Sequence, residues 1–68
     1  MELTINHTTK KFEVLPETLE VLIAMELPEK KKGIAVAVNN RIIPQSFWAE
    51  TFLNDKDSIL IITATQGG

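Results

Sequence analysis

Two runs of the sequence, Ile34–Val38 and Ser58–Thr63, are apolar at nearly every position. Runs of this length, rich in β-branched residues, are typical of strands that are covered on both faces or lie centrally in a sheet. A chain of 68 residues forms one domain at most, and its core is thin. The two runs therefore predict inner strands of a single sheet.

The N-terminal segment predicts a hairpin. Apolar and polar residues alternate from residue 1 to 5 and again from residue 11 to 14. Alternation with a period of two indicates half-buried strands. The polar stretch 7–10 between them is suited to the turn.

A different spacing follows. Four apolar residues recur at helical intervals and would line one face of a helix: Leu19, Leu22, Ile23 and Leu27. Thr18 is the expected N-cap. Pro28 cannot continue a helix and disfavours helical geometry at the residue before it, so we expect the helix to end near Glu26.

The segment between the two apolar runs predicts short elements. Asn39–Asn40 indicates a turn, because asparagine tolerates positive φ, and residues 41–43 a short return strand. Ser46 is expected to cap a short helical turn, and residues 54–57 to form a polar turn. We expect three aromatic residues to close one end of the core, the alternative being an exposed docking patch: Phe47, Trp48 and Phe52.

This order of elements predicts an α+β roll with one helix packed across one face of a mixed sheet. The first and last strands are both strongly apolar, so we expect them side by side at the centre. They would run parallel, because the chain reaches the last strand through a crossover.

Composition argues against several functions. The net charge is −2 and there is no cysteine, which disfavours nucleic-acid binding and excludes thiolate chemistry. No signal peptide or membrane span is predicted, so we expect a cytoplasmic protein. His7 is the only histidine and is expected in a turn. No metal-ligand cluster or nucleophile–base pair is recognisable, so we expect no catalysis and no bound cofactor or metal.

The C-terminus offers a different chemistry. Two of the three glycines are the last two residues, Gly67 and Gly68. Glycine adopts backbone angles closed to other residues, and no side chain would crowd the terminal carboxylate. We expect a domain over residues 1–65 and a flexible tail over 66–68. A partner enzyme could activate that carboxylate as a mixed anhydride with AMP.

The whole chain resembles the ThiS family, the thiamine-biosynthesis sulfur carriers with a ubiquitin-like β-grasp fold. Three features carry the resemblance: the passage Val36–Pro44 followed by Trp48, the turn-to-strand passage Asp57–Ile59, and the terminal Gly67–Gly68. Two positions depart from the family's habit. Lys56 stands where a glycine is frequent, and Gln66 where relatives carry an apolar or small residue.

The resemblance implies a carrier with no catalytic residue of its own. An E1-like adenylyltransferase, using ATP and Mg²⁺, would adenylate the Gly68 carboxylate. Sulfur drawn from a cysteine desulfurase through a persulfide relay would convert it to a thiocarboxylate. Thiazole synthase would then accept the sulfur. Gly67 and Gln66 would support access to the reactive end, and the exposed sheet face would dock on the partners.

Three alternatives stay open from the sequence. The first is the small, sulfur-carrying subunit of molybdopterin synthase. The second is a ubiquitin-like modifier whose Gly68 forms isopeptide bonds. The third is a plain interaction module with an inert tail.

Overall fold

The computed structural model of the protein describes residues 1–27 and 33–63. Pro28, expected to stop the helix, lies outside these residues. Five strands, one α-helix and one 3₁₀ helix are formed over the described ranges: β1 (Glu2–Ile5), β2 (Thr8–Lys11), α1 (Leu19–Glu26), β3 (Ile34–Val38), β4 (Arg41–Ile42), the 3₁₀ helix (Gln45–Glu50) and β5 (Ser58–Thr63).

The strands form one mixed sheet in the order β2-β1-β5-β3-β4. β5 lies at the centre, parallel to β1 and antiparallel to β3. The predicted parallel pairing of the first and last strands at the middle of the sheet is therefore confirmed. The two outer hairpins, β1–β2 and β3–β4, are both antiparallel.

The first hairpin differs from its prediction. Its turn is the pair Asn6–His7, with φ of 50° and 69°, and β2 occupies Thr8–Lys11 rather than residues 11–14. Every residue of β2 is exposed, so this edge strand has no apolar alternation to reveal it. The alternating residues that suggested a strand lie beyond it, where Phe12 packs against the core and Val14 is exposed.

The helix agrees with its prediction. α1 begins after Thr18, whose hydroxyl accepts a hydrogen bond from the Val21 N–H at 3.3 Å. It buries three residues against the sheet, where they join buried side chains of β1, β3 and β5. The core contains Leu3, Ile5, Leu19, Leu22, Ile23, Val36, Trp48, Leu53 and Ile59.

The aromatic cluster is divided between core and surface. Trp48 is buried, and its indole N–H donates to the Ile43 carbonyl at 2.9 Å. Phe47 and Phe52 are exposed, so the expectation that all three would close the core is wrong for these two. In a 3₁₀ helix successive side chains diverge by about a third of a turn, so only one of a neighbouring pair faces inward. The helix starts after Pro44, and Ser46 lies inside it rather than at its cap.

The polar turn before β5 contains Lys56 at φ 71°, the left-handed region that glycine adopts without strain. Its N–H donates to the Glu2 carbonyl at 2.7 Å, and the Asp55 carboxylate accepts from the Glu2 N–H at 2.7 Å. The lysine thus adopts a backbone conformation that glycine takes more readily, and the turn is tied to the start of β1.

Candidate functional site

The predicted reactive segment begins at the end of the central strand. β5 ends at Thr63, and five residues of the sequence follow it, the last of which is Gly68. Gln66, Gly67 and Gly68 lie outside the described residues, as does the expected boundary at residue 65. These site assignments therefore stay predictions, and the structure describes the base from which the segment starts.

The two neighbours of β5 hold it over different lengths. On one side β3 pairs with it from Ile59 to Thr63. On the other side the β1 pairing covers Ser58 and Ile59 only. It is extended by the Asn6 side chain, whose carboxamide oxygen accepts from the Ile61 N–H at 2.7 Å. The last two residues of β5 are paired by β3 alone.

The face of the sheet opposite α1 is apolar over β3, Ile42 of β4 and the C-terminal half of β5. Side chains alternate across a strand, so the buried Val36 and Ile59 place their neighbours on this open face. Cross-strand partners share a face, and Ala35 pairs with Ile62 while Ala37 pairs with both Leu60 and Ile42. We call these five residues the open-face patch: Ala35, Ala37, Ile42, Leu60 and Ile62.

The large side chains of the open-face patch are exposed to solvent. The exposed fractions are 61% for Ile42, 38% for Leu60 and 48% for Ile62. Ile62 is also the residue directly before the end of β5. Contiguous exposed apolar side chains on a small domain indicate an interaction surface. An apolar surface therefore adjoins the origin of the C-terminal segment.

The sequence predicts an exposed sheet face without indicating which residues form it. A signal was present, because Ile34–Val38 and Ser58–Thr63 are apolar at both alternating sets of positions. With only one helix available, one set had to be left uncovered. Which set it is depends on the side of the sheet that α1 occupies, and the strand patterns do not reveal that.

A second apolar surface lies on the outer side of α1. Val21, Ala24 and Met25 are exposed there, at helical spacing. An ion pair borders the C-terminal end of the helix, with Lys10 Nζ 2.7 Å from Glu26 Oε2. This surface is formed by the helix on the side away from the sheet, so it lies on the opposite side of the molecule from the open-face patch.

Three of the residues that carried the family resemblance take part in a polar network between two turns: Asn39, Asp57 and Ser58. Asp57 accepts hydrogen bonds from the Asn39 carboxamide at 3.0 Å and from the Asn54 N–H at 2.8 Å. Asn39 in turn accepts from the Ser58 N–H at 2.9 Å. The network lies at the start of β5, at the other end of the strand from Thr63. Its hydrogen bonds join the Asn39–Asn40 turn to the turn that precedes β5.

No catalytic constellation is found among residues 1–27 and 33–63. His7 is exposed in the first hairpin turn, as expected. These residues contain no group of three or more histidine or acidic side chains that could hold a metal ion. A groove of about 440 Å³ brings together carboxylates and amines, with no histidine or hydroxyl among the described residues lining it: Met1, Glu2, Lys11, Phe12, Glu13, Asp55 and Lys56.

Within the same described ranges, no helix is long and apolar enough to cross a membrane.

A mixed five-stranded sheet with parallel β1 and β5 at its centre, and one helix across one face, defines a β-grasp, ubiquitin-like domain. The chain belongs to the ThiS family, whose model matches residues 3–68.

One curated protein is similar to this chain in sequence, and one solved structure is similar to it in fold. The sulfur carrier protein ThiS of Escherichia coli K12 is 35% identical over 43 residues, which cover 63% of this chain and 65% of that protein. The alignment thus spans slightly less than two thirds of that relative. The crystal structure of the thiamine biosynthesis protein ThiS from Geobacter metallireducens superposes with a TM-score of 0.84 over the whole of both chains, at 17% identity. The second likeness shows the fold alone.

Proposed function

We propose that this protein is the sulfur carrier for thiazole formation in thiamine biosynthesis. The observation that carries the proposal is the family match, which extends over residues 3–68 and so includes the two terminal glycines. The described residues support it, because they form a compact body with an apolar surface beside the origin of the C-terminal segment. A carrier needs recognition surfaces and a reactive end, and no catalytic residues of its own.

The first step activates the Gly68 carboxylate. A carboxylate resists nucleophiles because its charge is delocalised over two oxygens. Its oxygen attacks the α-phosphorus of ATP, forming the acyl-adenylate and releasing pyrophosphate. An E1-like adenylyltransferase would supply the ATP, the Mg²⁺ and the stabilisation of the developing charge. Because the step consumes ATP, we propose that it takes place in the cytoplasm.

The second step exchanges AMP for sulfur. A persulfide sulfur, derived from cysteine through a desulfurase and relay, attacks the activated carbonyl and AMP leaves. Reductive cleavage of the resulting acyl disulfide by a thiol leaves the thiocarboxylate and a disulfide. Thiazole synthase then accepts this sulfur. Glycine at positions 67 and 68 leaves the carbonyl without a neighbouring side chain throughout these steps.

The open-face patch is the docking surface for the adenylyltransferase in this proposal. Five residues follow Thr63, and a fully extended chain covers at most about 3.5 Å per residue, so Gly68 reaches no farther than ~17 Å from the end of β5. An enzyme that holds the carboxylate must therefore touch the body near Thr63. Ile62 and Leu60 are the exposed apolar side chains of β5 itself.

Intact mass spectrometry of the protein isolated from its native host tests the proposal. A sulfur carrier shows a fraction in which one oxygen of the C-terminal residue is replaced by sulfur. Branched peptides on lysines of other proteins would instead identify a modifier. A chain with neither change under thiamine starvation would contradict the activation chemistry.

Deletion of Gly68 separates the remaining alternative. We expect the deletion to abolish growth without thiamine and to leave the folded body intact, as followed by circular dichroism. A strain that still grows without thiamine but loses molybdenum-cofactor activity would identify the molybdopterin synthase subunit instead.

A further inference from the structure

Asn6 has a double contact with the central strand. Its main-chain N–H donates to the Ile59 carbonyl at 2.9 Å. Its side-chain oxygen accepts from the Ile61 N–H at 2.7 Å. The two bonds flank Leu60, whose side chain belongs to the open-face patch. A single residue directly after β1 thus holds the backbone of β5 on both sides of the exposed Leu60.

The side-chain bond replaces a main-chain bond that the turn removes. β1 ends at Ile5, and Asn6 adopts φ 50° to start the hairpin turn. The main chain of β1 therefore departs from β5 at the level of Ile59, before the central strand ends. The carboxamide reaches one step farther along β5 and satisfies an N–H that would otherwise lose its partner on that side.

Beyond this bond β5 is held on one side only. Ile62 and Thr63 pair with Ala35 and Ile34 of β3, and β1 pairs with neither. The end of a strand held on one side frays more readily than one held on both. The Asn6 carboxamide therefore determines how far the double-sided support extends toward the C-terminal segment.

We propose that Asn6 is a positioning residue for the reactive C-terminus. It keeps Leu60 and Ile62 aligned for docking and sets the point from which the last residues start, and it takes no part in the chemistry. This inference rests on the proposed function, because its effect on activation requires the adenylyltransferase. The effect of Asn6 on the backbone of β5 does not depend on the proposed function.

Two substitutions separate the acceptor oxygen from the backbone conformation. Asn6→Gly keeps the positive φ and removes the acceptor, whereas Asn6→Asp keeps both. Asn40→Gly is the matched control, because it makes the same change at φ 71° in the second hairpin, near the start of β5. If Asn6→Gly unfolds below the assay temperature, Asn6→Gly and Asn6→Asp are compared in a protein that also carries Lys56→Gly, which we expect to be more stable.

Amide hydrogen exchange measured by NMR tests the anchoring. We expect Ile61 and Ile62 to exchange about tenfold faster in Asn6→Gly, relative to the buried core, because one hydrogen bond is lost. Asn6→Asp and Asn40→Gly should match the wild type. Unchanged exchange at Ile61 in Asn6→Gly would overturn the inference whatever the protein's function.

Steady-state adenylation tests the positioning. In ATP–pyrophosphate exchange we expect Asn6→Gly to raise the KM for the carrier about threefold, because fewer molecules present an ordered docking edge at any moment. The kcat should be unchanged, since the bound carboxylate is the same, and Asn6→Asp should restore the KM. If Asn6→Gly shows faster amide hydrogen exchange at Ile61 but the KM of the wild type, the positioning role alone would be overturned. A wild-type protein that supports no pyrophosphate exchange would overturn the proposed function and this inference together.

Discussion

The two faces of the central sheet are built from the same residue types but have different surroundings. On β5 the neighbours Ile59 and Leu60 are 1% and 38% exposed, and Ile62 is 48% exposed. One face packs under α1 and stabilises the fold, while the other is open beside the origin of the C-terminal segment. Alternation along one strand thus buries one set of residues in the core and leaves the other set exposed, where the proposed function uses it for recognition.

The largest expected effect concerns stability. Ile59→Ala should lower the free energy of unfolding by about 3 kcal/mol, because it removes buried methylenes and leaves a cavity. Leu60→Ala, one residue on, should cost less than about 1 kcal/mol, since its side chain is already partly in water. Urea unfolding of the two variants measures the difference. Equal losses would show that the open face also supports the fold.

The second effect concerns binding. Replacing Leu60 and Ile62 together by threonine should leave β5 folded, because threonine is β-branched and favours strands. The replacement removes the apolar side chains that we propose contact the enzyme. We expect the Kd for the adenylyltransferase to rise about thirtyfold, as for loss of a central interface contact. Isothermal titration calorimetry provides the measurement. The matched control, Val21→Thr on the outer side of α1, should change the Kd less than about twofold.

A third substitution is expected to change stability without affecting binding. Lys56 has a backbone φ of 71°, where its Cβ crowds the main chain. Lys56→Gly removes this strain and should raise the free energy of unfolding by about 0.7 kcal/mol. Lys56→Ala removes the same charge and keeps the strain, so it should bring no gain. Thermal unfolding of both variants checks the difference, and the KM in adenylation should stay at the wild-type value. A gain in Lys56→Ala would assign the effect to charge instead.

Much of the fold could be predicted from the sequence, because the relevant signals are local. Thr18 caps the helix as its position before the apolar spacing suggested. The β1–β5 pairing followed from the apolar residues of the first and last strands and from the crossover between them. The β2 strand could not be predicted, because an edge strand with every residue exposed has no apolar pattern.

The candidate site was less predictable, for two reasons. The identity of the open-face patch depends on which side of the sheet α1 covers, and that is a property of the whole fold. The Asn6–Ile61 hydrogen bond joins residues 55 positions apart. No local pattern signals it. By contrast, residues that carried the family resemblance, such as Asn39 and Asp57, stabilise turns at the opposite end of β5 from Thr63.

The most direct test of the account compares the natural chain with one whose Gly68 carboxylate is converted to a primary amide by semisynthesis. The two proteins share the same body and differ only in the group that we propose is activated. With the cognate adenylyltransferase, both should bind with the same Kd, and only the natural chain should support ATP–pyrophosphate exchange. Equal exchange by the amidated chain would show that the enzyme activates another group, and the proposed carrier chemistry would be wrong.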